Sequence, residues 1–422
     1  MTLQQALAEK HDCACGKDHL CDIHAVCIAD DALQKLPEIT ADFAHILLVA
    51  DGNTYPLCGD RVAAQLGKKL ENSVLFGCEL LVPNENALAK IEAGMTEQTD
   101  LIVGIGSGVI NDLCKYVAYL RGIRYVIVAT APSMDGYASV ASALILQDQK
   151  ITKSAAVPYA ILAEPSVLST APIDMLRSGY GDIVGKYSCL NDWKLATLLR
   201  GEYFCDLVYD TMMQAVKTTE AAAEAILARD TAAIGALMES LVLVGVMISY
   251  VGNSRPASGS EHHFSHYFEI TGLLNNKPYY LHGIDVLYSA AVTAKIREAL
   301  LALEKPLPRA DISNWRDGVR AVYSTAAEDI IKAQEKVGLY DTATDVDALE
   351  ANWDAVCALL REAPGYEKMC NYVEAIGLNM RDFVAFYGEK AINDGLLYAK
   401  DLKDRFTVLW LAFALGIDSV KL

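Results

Sequence analysis

Asp100-Leu-Ile-Val-Gly-Ile-Gly-Ser-Gly-Val-Ile-Asn-Asp112 passes from strand to helix within a few residues. Leu101, Ile102 and Val103 form an apolar run without polar alternation, the pattern of a strand covered on both faces in a parallel sheet. Gly104, Gly106 and Gly108 then make a turn ahead of a helix expected over Val109 to Leu120. Such a turn presents backbone N–H groups at a helix N-terminus, where a pyrophosphate is favoured. The spacing is G-x-G-x-G and not the dinucleotide fingerprint G-x-G-x-x-G, and glycine turns between strands and helices also arise for steric reasons alone. The order strand, turn, helix carries the assignment.

Working outward, His45-Ile-Leu-Leu-Val-Ala50 is a second apolar strand, closed by Asp51-Gly52-Asn53. A helix from Gly59 to Leu70, a strand over Val74 to Val82 and a helix from Ala87 to Met95 are expected between the two. Downstream, Tyr125-Val-Ile-Val-Ala129 runs into Thr130-Ala-Pro-Ser-Met-Asp-Gly136. The alternation is that of an open, mostly parallel α/β sheet, in which ligands bind at the carboxyl ends of the strands. Asp51 closes a strand where a ribose hydroxyl would be held. From Ser142 to Ala163 two alternating runs flank Gln147-Asp148-Gln149-Lys150 as a hairpin, and Pro165 closes the domain. Beyond Leu168 the period becomes helical, with breaks near Gly201, Gly252 to Gly259, Asn275 to Pro278, Pro306 to Pro308 and Gly338. The expectation is an α/β dinucleotide-binding domain over residues 1–167 and an all-α domain over 168–422.

The chain has 422 residues, 53% hydrophobic and 21% charged, enough for a large core in about two or three domains. A formal charge of −18 argues against nucleic acid and acidic membranes and in favour of small-molecule partners. Leu241 to Val251 is too short for a membrane span of about 20 residues and reads as a buried helix. The N-terminus has neither a basic nor an apolar leader region, so a cytoplasmic location is expected. Eleven cysteines, an odd number scattered through apolar stretches, fit a reducing compartment. Cys13, Cys15 and Cys21 lie among His11, His19 and His24, but Cys-x-Cys without a second Cys-x-x-Cys does not match a common zinc spacing. The simpler expectation there is a short strand or hairpin turning at Gly16 and continuing through Ile23 to Ile28.

Four of the eight histidines, His262, His263, His266 and His282, crowd into 21 residues. On a helix capped by Ser260, His262 and His266 share a face one turn apart, and His263 points elsewhere. A second helix opening at His282-Gly283 brings a further imidazole to that face if the two helices pack antiparallel across Asn275 to Pro278. Two imidazoles need a hard third ligand to form an open Lewis-acid site. Asp182, in Ser178-Gly-Tyr-Gly-Asp-Ile-Val-Gly-Lys186, is the candidate carboxylate, although an aspartate at a helix start is often explained by the helix dipole alone.

Taken together, Gly104-Ile-Gly-Ser-Gly-Val-Ile-Asn-Asp112, Thr130-Ala-Pro-Ser-Met-Asp-Gly-Tyr-Ala-Ser139, Gly179-Tyr-Gly-Asp-Ile-Val-Gly-Lys-Tyr187, Ser254-Arg-Pro-Ala-Ser-Gly-Ser-Glu-His262 with His266, and Leu281-His-Gly283 resemble the sn-glycerol-1-phosphate dehydrogenases of the iron-containing alcohol dehydrogenase and dehydroquinate synthase superfamily. The resemblance implies a dehydroquinate synthase-like fold with a catalytic site in the cleft between two domains. It implies Asp182, His262 and His282 as ligands of one divalent ion, Zn2+, Ni2+ or Fe2+, and as catalytic residues together with His266. It places Asp135, Asp182 and His266 on the substrate. It places Asp51, Gly106, Ser107, Gly108, Val109, Ile110, Thr130, Ala131, Pro132, Ser133 and Ser139 on NAD or NADP. The reaction implied is reversible hydride transfer between NAD(P)H and dihydroxyacetone phosphate, by a homo-oligomer, a dimer or larger. A polyol dehydrogenase and a lyase of the dehydroquinate synthase type are the rival activities on this scaffold. Ile284 stands where many superfamily members have Glu after His-Gly, and His263 adjoins a ligand as a competitor. Arg255 is the first cation to consider for the substrate phosphate, against the simpler role of partner to a local acid.

Overall fold

The computed structural model describes residues 1–146, 149–307, 311–342 and 346–422. The chain forms two compact units, residues 1–180 with 221–253, and residues 181–220 with 254–422. The units interleave, whereas the expected boundary at 167/168 divides the chain once. Helix Thr231–Val251, counted in the sequence with the all-α half, belongs to the first unit.

The first unit is built on six parallel strands, β1 (Ala25–Ile28), β2 (Ile46–Ala50), β3 (Leu70–Leu75), β4 (Leu101–Gly106), β5 (Arg124–Ala129) and β8 (Ala160–Ala163), in the order β1-β8-β5-β4-β2-β3. Every residue of β2, β4 and β8 is buried, as the unbroken apolar runs require. Ile46 faces Leu101 and Ala50 faces Ile105 across β2 and β4. Helices Tyr55–Leu66, Glu85–Ala93 and Gly108–Arg121 follow β2, β3 and β4. The chain leaves β2 for the edge strand β3 and then returns past β2 to β4. Strand order therefore reverses between β2 and β4, and that reversal opens the crevice where α/β sheets bind ligands.

Several boundaries differ from expectation. The third strand is Leu70–Leu75 and not Val74 to Val82. An edge strand with one neighbour needs little apolar surface, and only Val74 of β3 is buried, while Leu80, inside the expected strand, is 91% exposed in a loop. The helix expected from Gly59 begins at Tyr55, with Pro56 in its first turn where no N–H is needed. β6 (Ala141–Leu146) and β7 (Gln149–Ser154) form the expected hairpin, paired antiparallel, although its tip, Gln147 and Asp148, lies outside the described residues. Ala160–Ala163 is no part of that hairpin; it joins the main sheet as β8. Thr231–Val251 is the one described helix long and apolar enough to cross a membrane, and most of its residues are buried.

The second unit is helical. Lys186–Arg200 ends at left-handed Gly201 and Ala327–Val337 at left-handed Gly338, where the breaks were expected. The break from Pro306 to Pro308 runs into residues 308–310, outside the described set. Ser260–Leu274 and His282–Leu301 pack on one another and carry the four clustered histidines. The Ser260–Leu274 helix is capped differently from expectation, because Ser260 is its first residue and not its cap. Its backbone N–H is instead satisfied by the Asp192 carboxylate at 2.7 Å. Asp192 also accepts from Val408 N–H, and burial together with the Glu261 charge pushes its carboxyl up to about 6.

Candidate active site

Asp182, His262 and His282 converge in the second unit, each offering a ligand atom within 4.8 Å of the other two. Asp182 lies in the last turn of helix Ile173–Val184, not at a helix start, so the helix dipole does not explain it. A Cβ on Gly181 would fall on the Gly283 carbonyl oxygen, so the missing side chain is what lets the Asp182 helix approach the first turn of the His282 helix. His262 Nε2 stands 3.5 Å from Asp182 Oδ1, too long for a good hydrogen bond. It is close to the roughly 3.4 Å separating two ligands of a tetrahedral ion with bonds of about 2.0–2.1 Å. The His262 and His282 rings lie 5.1 Å apart.

Neighbouring groups set the proton of each of the three side chains. His262 Nδ1 lies 2.6 Å from Glu261 Oε1, an obligate acceptor, so Nδ1 carries the hydrogen and Nε2 keeps its lone pair. Glu261 is fully buried and is held in turn by Gly259 N–H at 3.0 Å. Ser265 Oγ lies 3.3 Å from His282 Nδ1 and 3.4 Å from the His282 carbonyl oxygen. With its hydroxyl donated to that carbonyl, Nδ1–H donates to Oγ and His282 Nε2 is left with its lone pair. Lys186 Nζ donates to Asp182 Oδ1 at 2.6 Å, both side chains being fully buried. Burial alone would raise the Asp182 carboxyl, but the Lys186 ammonium and the two imidazoles outweigh it and hold Asp182 far below the carboxylate range. On His262, burial and Lys186 lower the pKa, and Asp182 and Glu261 reverse them to leave it raised. A carboxylate and two imidazoles with fixed tautomers are a donor set suited to a divalent ion with open positions.

His266 is half-buried with its ring 6.3 Å from His262 and 5.6 Å from His282, beside the group of Asp182, His262 and His282 but not part of it. His263 is no competitor. It is fully buried with neither ring nitrogen hydrogen-bonded, and burial and the charges of Arg405, Lys403 and Arg255 keep it neutral. Arg255 is engaged elsewhere: Nε donates to Glu202 at 2.8 Å, and Nη2 to the carbonyls of Phe406 at 2.6 Å and Asp192 at 3.2 Å. The local-acid account of Arg255 therefore replaces the phosphate role. Ile284 is buried in the first turn of the His282 helix. Next to it Asp285 accepts from Tyr387 OH at 2.9 Å, a support from the C-terminal quarter that no motif signalled.

In the first unit the residues proposed for the dinucleotide gather at the carboxyl ends of β2, β4 and β5. Thr54 Oγ1 donates to the Ile105 carbonyl at 2.8 Å, tying the loop after β2 to the glycine turn. Asp51 Oδ1 accepts from the N–H groups of Asn53 and Thr54, both at 2.8 Å. A Cβ on Gly106 would lie 2.5 Å from Ile110 Cβ, so strand-to-helix packing accounts for that glycine. Ser107, Gly108 and Val109 bring their N–H groups to the start of helix Gly108–Arg121, and the Ile110 side chain turns into the core. Thr130 N–H donates to the Gly106 carbonyl, and the Ala131 carbonyl accepts from Tyr137 OH. Past Pro132, the Ser133 carbonyl accepts from Ser178 OH at 2.9 Å. Ser139 Oγ lies within 3.2 Å of Lys115 Nζ and of the Gly136 and Ala141 carbonyls, so its hydroxyl is spent within its own loop. Asp135 opens the turn Asp135–Ala138, which packs on Gly245.

Glu261, Lys186 and Ser265 were not singled out in the sequence. Glu261 and Ser265 lie in the histidine helix itself, and Lys186 stands one helical turn beyond Asp182, the spacing of a charge pair. Such pairs are usually solvated, and only burial distinguishes this one.

Residues 27–172 match the model of the family described as iron-containing alcohol dehydrogenase. A probable glycerol dehydrogenase from Sinorhizobium meliloti has the same fold, with a TM-score of 0.60 at 15% identity over 94% of this chain and 96% of that one. A Bacillus licheniformis protein named glycerol-1-phosphate dehydrogenase (NAD(P)+) is 30% identical over 96% of this chain and 92% of its own length. One of the same name from Halalkalibacterium halodurans is 33% identical over 70% and 76% respectively. The chain belongs to the glycerol-1-phosphate dehydrogenase family of iron-containing alcohol dehydrogenases.

Proposed function

We propose that the chain catalyses reversible hydride transfer between NAD(P)H and dihydroxyacetone phosphate, giving sn-glycerol 1-phosphate, at a divalent ion held by Asp182, His262 and His282. The observation that carries this reading is the convergence of those three donors with Glu261 fixing the His262 tautomer, in a chain of this family. A bound Zn2+, Ni2+ or Fe2+ supplies Lewis acidity toward the substrate carbonyl. Glu261 and Ser265 aim the two imidazoles, and Lys186 keeps Asp182 ionised. His266, adjacent to the ligands and not one of them, is the group placed to hand a proton to the oxygen of the reduced product. The turn Gly106 to Ile110 and the segment Thr130 to Ser133 hold the dinucleotide, and Asp135 orients the substrate. Asp51 Oδ2 accepts from a ribose 2′-hydroxyl and repels a 2′-phosphate, so NADH serves as cofactor. The active form is a homo-oligomer, a dimer or larger.

The test is NADH oxidation by the metal-loaded protein with dihydroxyacetone phosphate and dihydroxyacetone in parallel. The phosphate ester is expected to be favoured at least about 100-fold in kcat/KM. Equal turnover of the free ketone would reassign the chain to polyol dehydrogenation, and no net oxidation of NADH with either would favour the lyase chemistry.

A further inference from the structure

The N-terminal segment holds chemistry that the dehydrogenase reaction does not use. His11, Cys13, Cys15, His19, Cys21 and His24 separate into two groups. Cys13, Cys15 and His19 offer ligand atoms within 4.8 Å of one another. The others turn away: His11 is exposed between Glu9 and Asp18, His24 stacks on Tyr159, and burial pushes the Cys21 thiol up to about 11.

Backbone pairing brings the three together. Lys10 and His19 exchange both hydrogen bonds, at 2.9 and 2.7 Å, as an antiparallel bridge, and Gly16 N–H closes the turn onto the Cys13 carbonyl at 2.8 Å. Cys13 and Cys15 are thereby carried back toward His19, and Cys15 Sγ lies 3.3 Å from His19 Nε2. A tetrahedral zinc with bonds of about 2.3 Å to sulfur and 2.0 Å to nitrogen sets its ligands about 3.5–3.8 Å apart.

His19 is prepared as a ligand. It is fully buried, its ring stacks on Tyr250 at 4.8 Å with 6° between planes, and Nδ1 lies 3.2 Å from the Tyr250 carbonyl oxygen. A carbonyl only accepts, so Nδ1 carries the hydrogen and the Nε2 lone pair faces the thiols. Fixing one ring nitrogen on a carbonyl in this way is the usual outer support of a metal-bound imidazole. Tyr250 is itself held by its hydroxyl on the Ala6 carbonyl at 2.6 Å.

We propose that Cys13, Cys15 and His19 bind a second metal ion, Zn2+, as two thiolates and one imidazole with a fourth position for a further donor. Binding displaces the two thiol protons to solvent and oxidises nothing. The ion ties the N-terminal turn to the last helical turn of Thr231–Val251 and has no part in hydride transfer.

Cobalt titration of the chelator-stripped full-length protein tests this without reference to activity. The catalytic donor set contains no thiolate, so a near-ultraviolet sulfur-to-cobalt charge-transfer band reports on this site alone. The wild type is expected to show the band and, purified from zinc-replete cells, to retain one zinc per chain more than C13S/C15S. That variant should lose the band and keep NADH oxidation at the wild-type level. H19Q, with both thiols intact, should hold cobalt at least about tenfold more weakly. A wild type without the band, a band surviving in C13S/C15S, or a Cys13–Cys15 disulfide in protein purified without oxidant would overturn the proposal. The wild-type spectrum stands even if a variant folds poorly, and loss of activity with the band retained would count against the dehydrogenase reading only.

Discussion

Glu261 illustrates how much of this site rests on single atoms. Its Oε1 fixes the proton of His262, so Glu261→Gln, which can present an amide N–H to Nδ1 instead, should weaken metal binding about 10–100-fold without abolishing it, as read by metal titration. Arg255→Ala should leave the KM for dihydroxyacetone phosphate unchanged. It should lower stability by about 1.5–3 kcal/mol in urea unfolding, since charged hydrogen bonds to Glu202 and two carbonyls are lost. Lys115 is a third case, fully buried on the Gly136 and Ala141 carbonyls and Ser139. Burial lowers its pKa to about 8 from 10.5, with Asp112 and Asp135 opposing. Between those values the unfolded chain binds a proton that the folded chain does not, so this group's contribution to stability rises with pH from 8 toward 10.5, by about 3 kcal/mol at most. Unfolding at pH 8, 9 and 10 should show the gap between wild type and Lys115→Met widening in favour of wild type; a constant gap would mean that Lys115 titrates normally. His262 and His282 were legible as members of the converging group because histidines are rare and their spacing is helical. Arg255 and Glu261 were not, because a cation or an acid near a motif carries no mark of which way it faces.

Among the elements, the central strands β2, β4 and β5 were legible because burial on both faces leaves unbroken apolar runs. The edge strand β3 was misplaced because one neighbour and one buried side chain leave almost no pattern. The helix pair carrying the histidines could be read from His262, His266 and His282, but not its approach to the Asp182 helix, which depends on Gly181 lying against the Gly283 carbonyl. Gly181→Ala should therefore destabilise the protein by about 1–3 kcal/mol through overpacking. It should also weaken metal binding, because residues on both sides of the clash carry ligands. Thermal unfolding and metal titration on the same sample check this, and a destabilised variant with unchanged metal affinity would separate the packing from the site.

For the whole molecule, a formal charge of −18 says nothing of how an anionic substrate is held, which is a matter of local groups. The interleaving of the two units was also not legible, because helix Thr231–Val251 has the same apolar composition whichever core it enters. The account as a whole depends on Asp182, His262 and His282 acting as one metal site, and metal content with turnover in Asp182→Asn, His262→Ala and His282→Ala addresses that most directly. Each variant is expected to carry one ion per chain fewer than the wild type and to lose NADH oxidation with dihydroxyacetone phosphate, while still binding NADH. Any one of the three that keeps the full metal content and full turnover would contradict it.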